Sequence, residues 1–198
     1  MLNKKYLKQN MLGFEGDEFI AFEIKNLIEK FSIDVAVELG SFHGFTARKI
    51  ASLVKEVITV EIDEMNYQVT CFYTKKVSNI KAIHSSSVDA LPKILQEYKE
   101  KNILIFIDSH WQQYCPLLDE LKIIAQQKIK PVIAIHDFKV PGQPQLKFDS
   151  YNQQEFTYEW IKPHIDKIYG EGEYNYHYNR QSTGAKRGVI YIYPKSIK

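Results

Sequence analysis

The chain has 198 residues, of which 44% are hydrophobic and 25% are charged, and its net charge at pH 7 is +2. These values are those of one ordinary soluble globular domain. The basic residues are scattered and form no stripe of the kind that binds a duplex, so we expect no nucleic-acid partner. No apolar run approaches the ~20 residues that a membrane span requires, so we expect no membrane partner either.

The N-terminal residues and the cysteines point to the cytoplasm. Met1 to Asn10 are basic but lead into no apolar stretch, so no signal peptide is predicted. The two cysteines, Cys71 and Cys115, lack the spacing of a metal site and are interpreted as reduced thiols. The sequence therefore predicts a cytoplasmic protein with a single domain over residues 1–198, either monomeric or a homo-oligomer.

The first predicted element is an amphipathic helix from Asp17 to Phe31, within a helical extension over residues 1–32. Five short, β-branched apolar runs follow it and are nearly continuous rather than alternating, which is typical of strands buried on both faces. These runs are Ile33–Leu39, Val57–Ile62, Ile80–Ile83, Ile103–Ile107 and Val132–Ile135.

Segments with helical spacing lie between these runs, at Thr46 to Val54, Val88 to Tyr98 and Tyr114 to Ile124. Alternation of strands and helices at this length predicts an α/β fold with a parallel sheet and helices on both faces. An antiparallel α+β domain explains the continuous apolar strands less well. Residues 33–137 form the predicted ligand-binding core.

Residues 138–198 are predicted to carry a loop, a helix and a hairpin. The loop runs from Lys139 to Asn152, and the helix covers Glu155 to Ile161 and ends near Pro163. Tyr174–Tyr178 and Val189–Tyr193 alternate around a glycine-containing connection, which is typical of a hairpin.

The strongest local motif lies where the first strand passes into a helix, at Glu38-Leu39-Gly40-Ser41-Phe42-His43-Gly44. Ligands of open α/β sheets bind at this edge, and the two glycines allow a tight turn and a close backbone approach. The spacing is not the Gly-x-Gly-x-x-Gly of dinucleotide sites. Glu38 would repel a pyrophosphate but suits a ligand with an ammonium or sulfonium group.

Glu61 stands at the end of the second strand, where a carboxylate can accept hydrogen bonds from both hydroxyls of a ribose. Asp63 is the alternative ribose ligand, although it can instead cap the next helix. Two acids at successive strand ends, with glycines between them, predict a nucleoside-containing ligand. Ordinary solvent-exposed acids at strand ends are the alternative interpretation.

From residue 33 to 137 the sequence resembles class I S-adenosylmethionine-dependent methyltransferases. It is similar in detail to the small-molecule branch, which includes sugar and antibiotic O-methyltransferases and cephalosporin-hydroxylase-like proteins. The resemblance rests on Glu38 with Gly40 and Gly44, on Glu61, and on the serines Ser85 to Ser87 before Leu91-Pro92. The terminal hairpin matches the last two strands of that family's sheet.

This resemblance implies a Rossmann-like, mostly parallel seven-stranded sheet with a C-terminal antiparallel hairpin. It also implies S-adenosylmethionine as cofactor and a small-molecule acceptor, with residues 138–198 selecting that acceptor. Ser86 stands where the family often has an acid beside the adenine, and Ser85 or Ser87 can share that role. The implied cofactor-binding residues are Glu38, Gly40, Ser41, Gly44, Glu61, Ser86 and Asp108.

Four titratable residues follow the fourth and fifth predicted strands: Asp108, His110, His136 and Asp137. The strand ends are adjacent in the predicted sheet, so these side chains should meet. Asp108, His110 and His136 are the candidate catalytic residues, with an imidazole as the general base. Structural roles for all four are the alternative.

A divalent metal on Asp108 and Asp137 is also predicted. The related sugar O-methyltransferases use acids at the positions of Asp108, His136 and Asp137, so one histidine here replaces an acid. That replacement favours a softer metal than magnesium, or none.

The sequence thus predicts an S-adenosylmethionine-dependent methyltransferase that acts on a small molecule, at oxygen. An accessory protein that binds the cofactor without turnover is one alternative. An NAD-dependent oxidoreductase is another, and the absent third glycine and Glu38 argue against it.

Overall fold

The computed structural model describes residues 12–196 and consists of one central sheet with helices on both faces. The strands are β1 (Val35–Leu39), β2 (Glu56–Glu61), β3 (Ile80–His84), β4 (Ile103–Ile107), β5 (Val132–His136), β6 (Ser150–Tyr151), β7 (Gln154–Glu155), β8 (Tyr174–Tyr178) and β9 (Val189–Pro194). The helices are α1 (Glu18–Lys30), α2 (Phe45–Ala51), α3 (Glu64–Thr74), α4 (Ser87–Glu97), α5 (Leu117–Gln126) and α6 (Tyr158–Tyr169).

The main sheet has seven strands in the order β3-β2-β1-β4-β5-β9-β8. Strands β1 to β5 are parallel, whereas β9 runs antiparallel to β5 and to β8. The predicted Rossmann-like sheet with a terminal antiparallel hairpin is therefore confirmed. The strand order reverses between β1 and β4, which is the switch point where such sheets bind ligands.

The sheet strands are apolar throughout because both faces are covered. Val35, Val37 and Leu39 of β1 face one core, into which α4, α5 and α6 pack. Leu104 and Phe106 of β4 face a second core, which contains the apolar residues of α1 and α2. This arrangement explains why the apolar runs of the sequence do not alternate with polar residues.

Two aspartates fix the beginnings of helices. Asp17 caps α1, since its Oδ1 accepts the amide hydrogens of Phe19 at 2.9 Å and Ile20 at 3.0 Å. Asp63 caps α3 through the amide of Asn66 at 2.9 Å. Side-chain capping satisfies amide groups that the first helical turn leaves without partners. Asp63 thus has the capping role that the sequence offers as an alternative to ribose binding.

The predicted end of α6 near Pro163 is wrong, because the helix continues through this proline to Tyr169. The cost of the missing amide is offset by burial of Ile161, Ile165 and Ile168 in the core. A short antiparallel ribbon also forms, with β6 inside the predicted loop and β7 just after it.

In the range 12–196, no helix combines the length and the apolar character needed to cross a membrane. The predicted absence of a signal peptide concerns residues outside the described range. The division into an extension, a core and an acceptor-binding part stays a prediction.

Candidate functional site

A cavity of about 250 Å³ lies at the carboxyl ends of β1, β2, β4 and β5, on both sides of the switch point. Its wall contains the Gly40 turn, the end of β2, and the residues that follow β4 and β5. Residues distant in sequence, Glu15 and Arg187, complete the wall. The sheet therefore gathers most of the predicted site residues at one cavity.

The turn after β1 requires its two glycines. Gly40 has a φ of +93°, and a Cβ at this position would overlap the backbone carbonyl of Asp108. Gly44 has a φ of +75° and precedes α2, and a Cβ there would lie 3.0 Å from the Thr70 side chain. The glycines thus let the turn pack closely against the end of β4 and against α3. Gly40 lines the cavity, whereas Gly44 is not among the lining residues of the described chain.

Glu61 lies at the end of β2 with its carboxylate held in place. The amide of Phe42 donates to Oε2 at 2.7 Å and the amide of Asp63 donates to Oε1 at 2.9 Å. Burial raises the pKa of Glu61, and the two amide hydrogen bonds work in the opposite direction. Each oxygen keeps a lone pair, so the carboxylate can accept hydrogen bonds from a pair of hydroxyls in the cavity.

Glu38 is not among the cavity-lining residues of the described chain, so the structure places it beneath the turn, and its direct ligand contact stays a prediction. Its side chain is 1% exposed and accepts a hydrogen bond from the Thr59 hydroxyl, which in turn pairs with that of Ser41. Burial raises the pKa of Glu38 to about 8, so at neutral pH it is largely a neutral acid beneath the turn. Ser41 itself lines the cavity.

Ser86 caps α4 and is not among the cavity-lining residues of the described chain. Its hydroxyl donates to the Asp89 carboxylate at 2.6 Å and accepts the Asp89 amide at 3.1 Å. Its neighbours Ser85 and Ser87 line the cavity instead. The Ser86 hydroxyl thus uses its donor and one of its two acceptor sites within the cap, and its contact with adenine stays a prediction.

The four predicted residues after β4 and β5 do meet. His110 Nε2 lies 3.0 Å from Asp137 Oδ2 and 3.9 Å from Asp108 Oδ1. His136 Nδ1 lies 3.3 Å from Asp108 Oδ1 and 3.5 Å from Asp137 Oδ2. Both imidazoles are buried, whereas the Asp108 side chain is 32% exposed and faces the cavity. Asp108 is therefore the member of this cluster most accessible to an acceptor.

Two further charged residues belong to the cluster, and neither is among the site residues predicted from the sequence. Arg187 Nε lies 3.0 Å from Asp137 Oδ1, and Arg187 Nη1 lies 2.8 Å from Asp149 Oδ1. Arg187 follows Lys186 in the connection between β8 and β9. Asp149 lies in the predicted acceptor loop, and its amide donates to the Asp137 carbonyl at 2.9 Å.

The cluster balances negative against positive charge. Burial alone would lower the pKa of His136, but the carboxylates of Asp108 and Asp137 outweigh it and raise that pKa well above the ordinary value. Burial alone would raise the pKa of Asp137, but the adjacent His136 and His110 hold it below the usual range. His136 therefore carries a positive charge near neutral pH rather than acting as a free base.

Asp108, His110 and Asp137 present ligand atoms that all lie within 4.8 Å of one another. Carboxylates and imidazole together are a donor set that suits a divalent transition metal better than magnesium. The residues fit such an ion, provided that the imidazole is neutral when the ion binds.

Aromatic side chains form the rim and the backing of the site. Trp111 and Tyr114 close a tight turn through two backbone hydrogen bonds of 2.9 Å, and both line the cavity. Tyr151 and Trp160 belong to residues 138–198, which are predicted to select the acceptor. In the structure, Tyr151 and Trp160 stack on Phe156, whose ring packs against His110, so they support the site from behind.

A family model described as O-methyltransferase matches residues 2–136 of the chain. No curated protein matches the chain by sequence.

Solved structures share the fold at low sequence identity. An O-methyltransferase from Bacillus cereus in complex with SAH has 15% identity and a TM-score of 0.65, covering 90% of this chain and 81% of its own. The O-methyltransferase TomG from Streptomyces achromogenes, in complex with SAM, has 11% identity and a TM-score of 0.66. The match covers 99% of this chain and 92% of TomG. A spermidine synthase from Thermotoga maritima has 14% identity and a TM-score of 0.57. The match covers 93% of this chain and 62% of the synthase. Proteins with different activities thus share this fold, so the activity has to be argued from the site.

Proposed function

Because the chain belongs to the O-methyltransferase family, we propose that it transfers a methyl group from S-adenosylmethionine to a hydroxyl of a small molecule. The observation that carries the proposal is the Glu61 carboxylate, held by two backbone amides at the end of β2 and facing a cavity that begins at the Gly40 turn. The solved O-methyltransferases with bound SAH and SAM share this fold and support the same cofactor.

In the proposed complex, Glu61 accepts the ribose hydroxyls and the Gly40 turn lies against the methionyl end. Ser85 and Ser87 lie beside the adenine, on the side of the cavity formed after β3. Asp108, across the turn from Gly40, marks the position of the reacting methyl group and the acceptor. Alignment of these groups contributes most of the catalysis, since attack on a sulfonium methyl mainly requires an in-line approach.

The cofactor supplies a methyl group on a positively charged sulfur. When bound, it would donate this methyl group to the acceptor oxygen, and the hydroxyl proton would then be strongly acidic. We assign its removal to Asp108, because this carboxylate faces the cavity and even a weak base suffices for so acidic a proton. His136 and His110 lie behind Asp108, and the positive charge of His136 holds this carboxylate in position.

A divalent transition metal is a second part of the proposal. Asp108, His110 and Asp137 would hold it, and it would polarise the acceptor hydroxyl when bound. In a thermal-unfolding measurement, the melting temperature should be higher with Mn²⁺ than with a chelator. Equal melting temperatures would contradict this part of the proposal.

Isothermal titration with S-adenosylhomocysteine tests the cofactor. We expect the wild type to bind it and Glu61→Gln to bind at least about tenfold more weakly, because a charged acceptor for two hydroxyls is lost. Glu64→Gln is the matched control, since it removes the same charge from an exposed position three residues away. NAD should not bind.

Equal affinities of the wild type and Glu61→Gln would contradict the ribose assignment, and no binding by the wild type would contradict the cofactor. Incubation with radiolabelled S-adenosylmethionine and a panel of hydroxylated acceptors separates an enzyme from an accessory protein. An Asp108→Asn variant should bind S-adenosylhomocysteine normally but lose at least about tenfold in methyl transfer.

A cytoplasmic location and assembly into a homo-oligomer remain predictions from the sequence. Cell fractionation and light scattering of the purified chain measure them directly.

A further inference from the structure

A left-handed turn precedes α1 and places Glu15 in the cavity wall. Four successive residues of this turn have positive φ: Gly13 at +70°, Phe14 at +48°, Glu15 at +51° and Gly16 at +75°. A left-handed backbone costs roughly 1–2 kcal/mol for each residue other than glycine. Phe14 and Glu15 adopt it only because surrounding contacts impose it, and such strain is concentrated at functional sites.

Contacts from three parts of the chain hold this turn. Phe14 is 2% exposed and packs edge-on against Phe106 of β4 at 5.4 Å between ring centroids. The Phe14 amide donates to the Thr46 hydroxyl at 2.8 Å, which fixes the turn to the beginning of α2. Gly184, in the connection between β8 and β9, packs so closely on the Glu15 carbonyl that a Cβ there would overlap it.

The effect of this support is to direct the Glu15 side chain inward. Glu15 lines the same cavity as Gly40, Thr46 and Asp108. Its Oε2 is buried and has no hydrogen-bond partner among residues 12–196. Burial raises the pKa of Glu15. A buried carboxylate oxygen without a partner is costly, so its position calls for a ligand that donates to it.

The other acids of the cavity already have partners. Glu61 is held by two amides, and Asp137 and Asp149 pair with Arg187. Asp108 lies beside His136. Glu38, the acid of the glycine motif, is buried beneath the turn and does not reach the cavity. The methionyl end of the cofactor carries an α-ammonium group, and the glycine motif provides no carboxylate that faces it.

We propose that Glu15 binds the α-ammonium group of S-adenosylmethionine, in place of the buried Glu38. The geometry favours this end of the cofactor because Glu15 lines the cavity together with Gly40 and Thr46, and Thr46 also accepts the amide hydrogen of the adjacent Phe14. The segment from Gly40 to Thr46 is where the methionyl group lies in the proposed complex. The cofactor's carboxylate is excluded as its partner by like charge. This inference rests on the proposed cofactor and assigns a residue far from the glycine motif to hold one end of it.

A comparison of two ligands tests the proposal with no need to know the acceptor. S-adenosylhomocysteine carries the ammonium group, whereas 5′-methylthioadenosine retains the adenosine but lacks the amino-acid end. Isothermal titration of the full chain with both ligands should show that Glu15→Gln weakens S-adenosylhomocysteine about ten- to a hundredfold. The affinity for 5′-methylthioadenosine should change by less than about twofold, which also reports that the variant is folded.

Glu18→Gln is the matched control, since it removes one charge from an exposed position three residues along the chain. It should leave both affinities unchanged. Equal losses for the two ligands in Glu15→Gln, or no loss for either, would overturn the assignment of Glu15. If the wild type binds neither ligand, the proposed cofactor fails, and that outcome is distinct from a failure of Glu15 alone.

Discussion

Glu38 is an acid enclosed by the sheet beneath the glycine turn, and its protonation links stability to pH. Its pKa of about 8 in the folded protein, against an ordinary 4.5, means that between these values the folded state keeps a proton that the unfolded chain has lost. The contribution of this proton to the free energy of unfolding has its full value below pH 4.5 and is lost as pH rises toward 8. The slope approaches about 1.4 kcal/mol per pH unit for a fully buried group.

Glu38→Gln removes this titration while keeping a neutral hydrogen-bonding side chain beside Thr59. We expect the free energy of unfolding of the wild type, relative to Glu38→Gln, to fall by about 1 kcal/mol for each unit between pH 5.5 and pH 8. Urea unfolding at several pH values measures it, with exposed Glu18→Gln as control. Parallel pH profiles of the wild type and Glu38→Gln would mean that Glu38 is ionised in the folded protein.

The same residue shows what the sequence alone could and could not predict at this scale. Glu61 and the two glycines were identified because strand-end position and spacing determine their environment. The orientation of Glu38 depends on Thr59 and Ser41, whose hydroxyls draw its carboxyl group away from the cavity. Strand alternation predicts that Glu38 and Leu39 face opposite sides of the sheet. It does not predict which of the two cores lies on each side.

Most elements were predicted from local patterns because buried parallel strands have an unmistakable composition. The strand β4 was predicted with its observed bounds, Ile103–Ile107. The helix α6 was not, since its continuation through Pro163 depends on packing of Ile161 and Ile165 in a core made by distant strands. Glu15 and Arg187 escaped prediction for a similar reason, because contacts with residues distant in sequence bring them to the site.

The connection between β8 and β9 supports the Glu15 turn, so a change there should reach the cofactor. Gly184→Ala would place a Cβ against the Glu15 carbonyl and displace the turn. We expect about a tenfold loss of affinity for S-adenosylhomocysteine and little change for 5′-methylthioadenosine, by titration. Gly172→Ala is the control, because Gly172 also has a positive φ of +73° but has nothing within 4 Å of a Cβ.

Loss of affinity in both glycine variants would mean that general backbone strain, and not displacement of the Glu15 turn, weakens binding. Retained affinity in Gly184→Ala would mean that the turn tolerates displacement, and the connection would then have no part in binding.

At the scale of the whole molecule, the site joins the two ends of the described chain. The Glu18 amide donates to the Thr183 hydroxyl at 2.9 Å, and that hydroxyl donates to the Gly16 carbonyl at 3.2 Å. Ser182 also hydrogen-bonds to the Asp17 carboxylate. These contacts attach the Glu15 turn to the connection that carries Arg187. One wall of the cavity is therefore assembled from residues near both ends, whereas the opposite wall comes from consecutive strand ends.

Hydrogen exchange of the full chain tests whether this assembly responds to the cofactor as one unit. S-adenosylhomocysteine should slow amide exchange in residues 13–18 and 182–188 as well as in the turn at 40–46, because a ligand held by Glu15 stabilises every contact that supports it. The ligand 5′-methylthioadenosine should protect residues 40–46 and 61–63 but leave 13–18 unchanged. Residues 174–178, at the far edge of the sheet, serve as the internal control. Protection of residues 13–18 by both ligands alike would show that the adenosine alone orders the N-terminal turn, and protection by neither would separate that turn from the binding site.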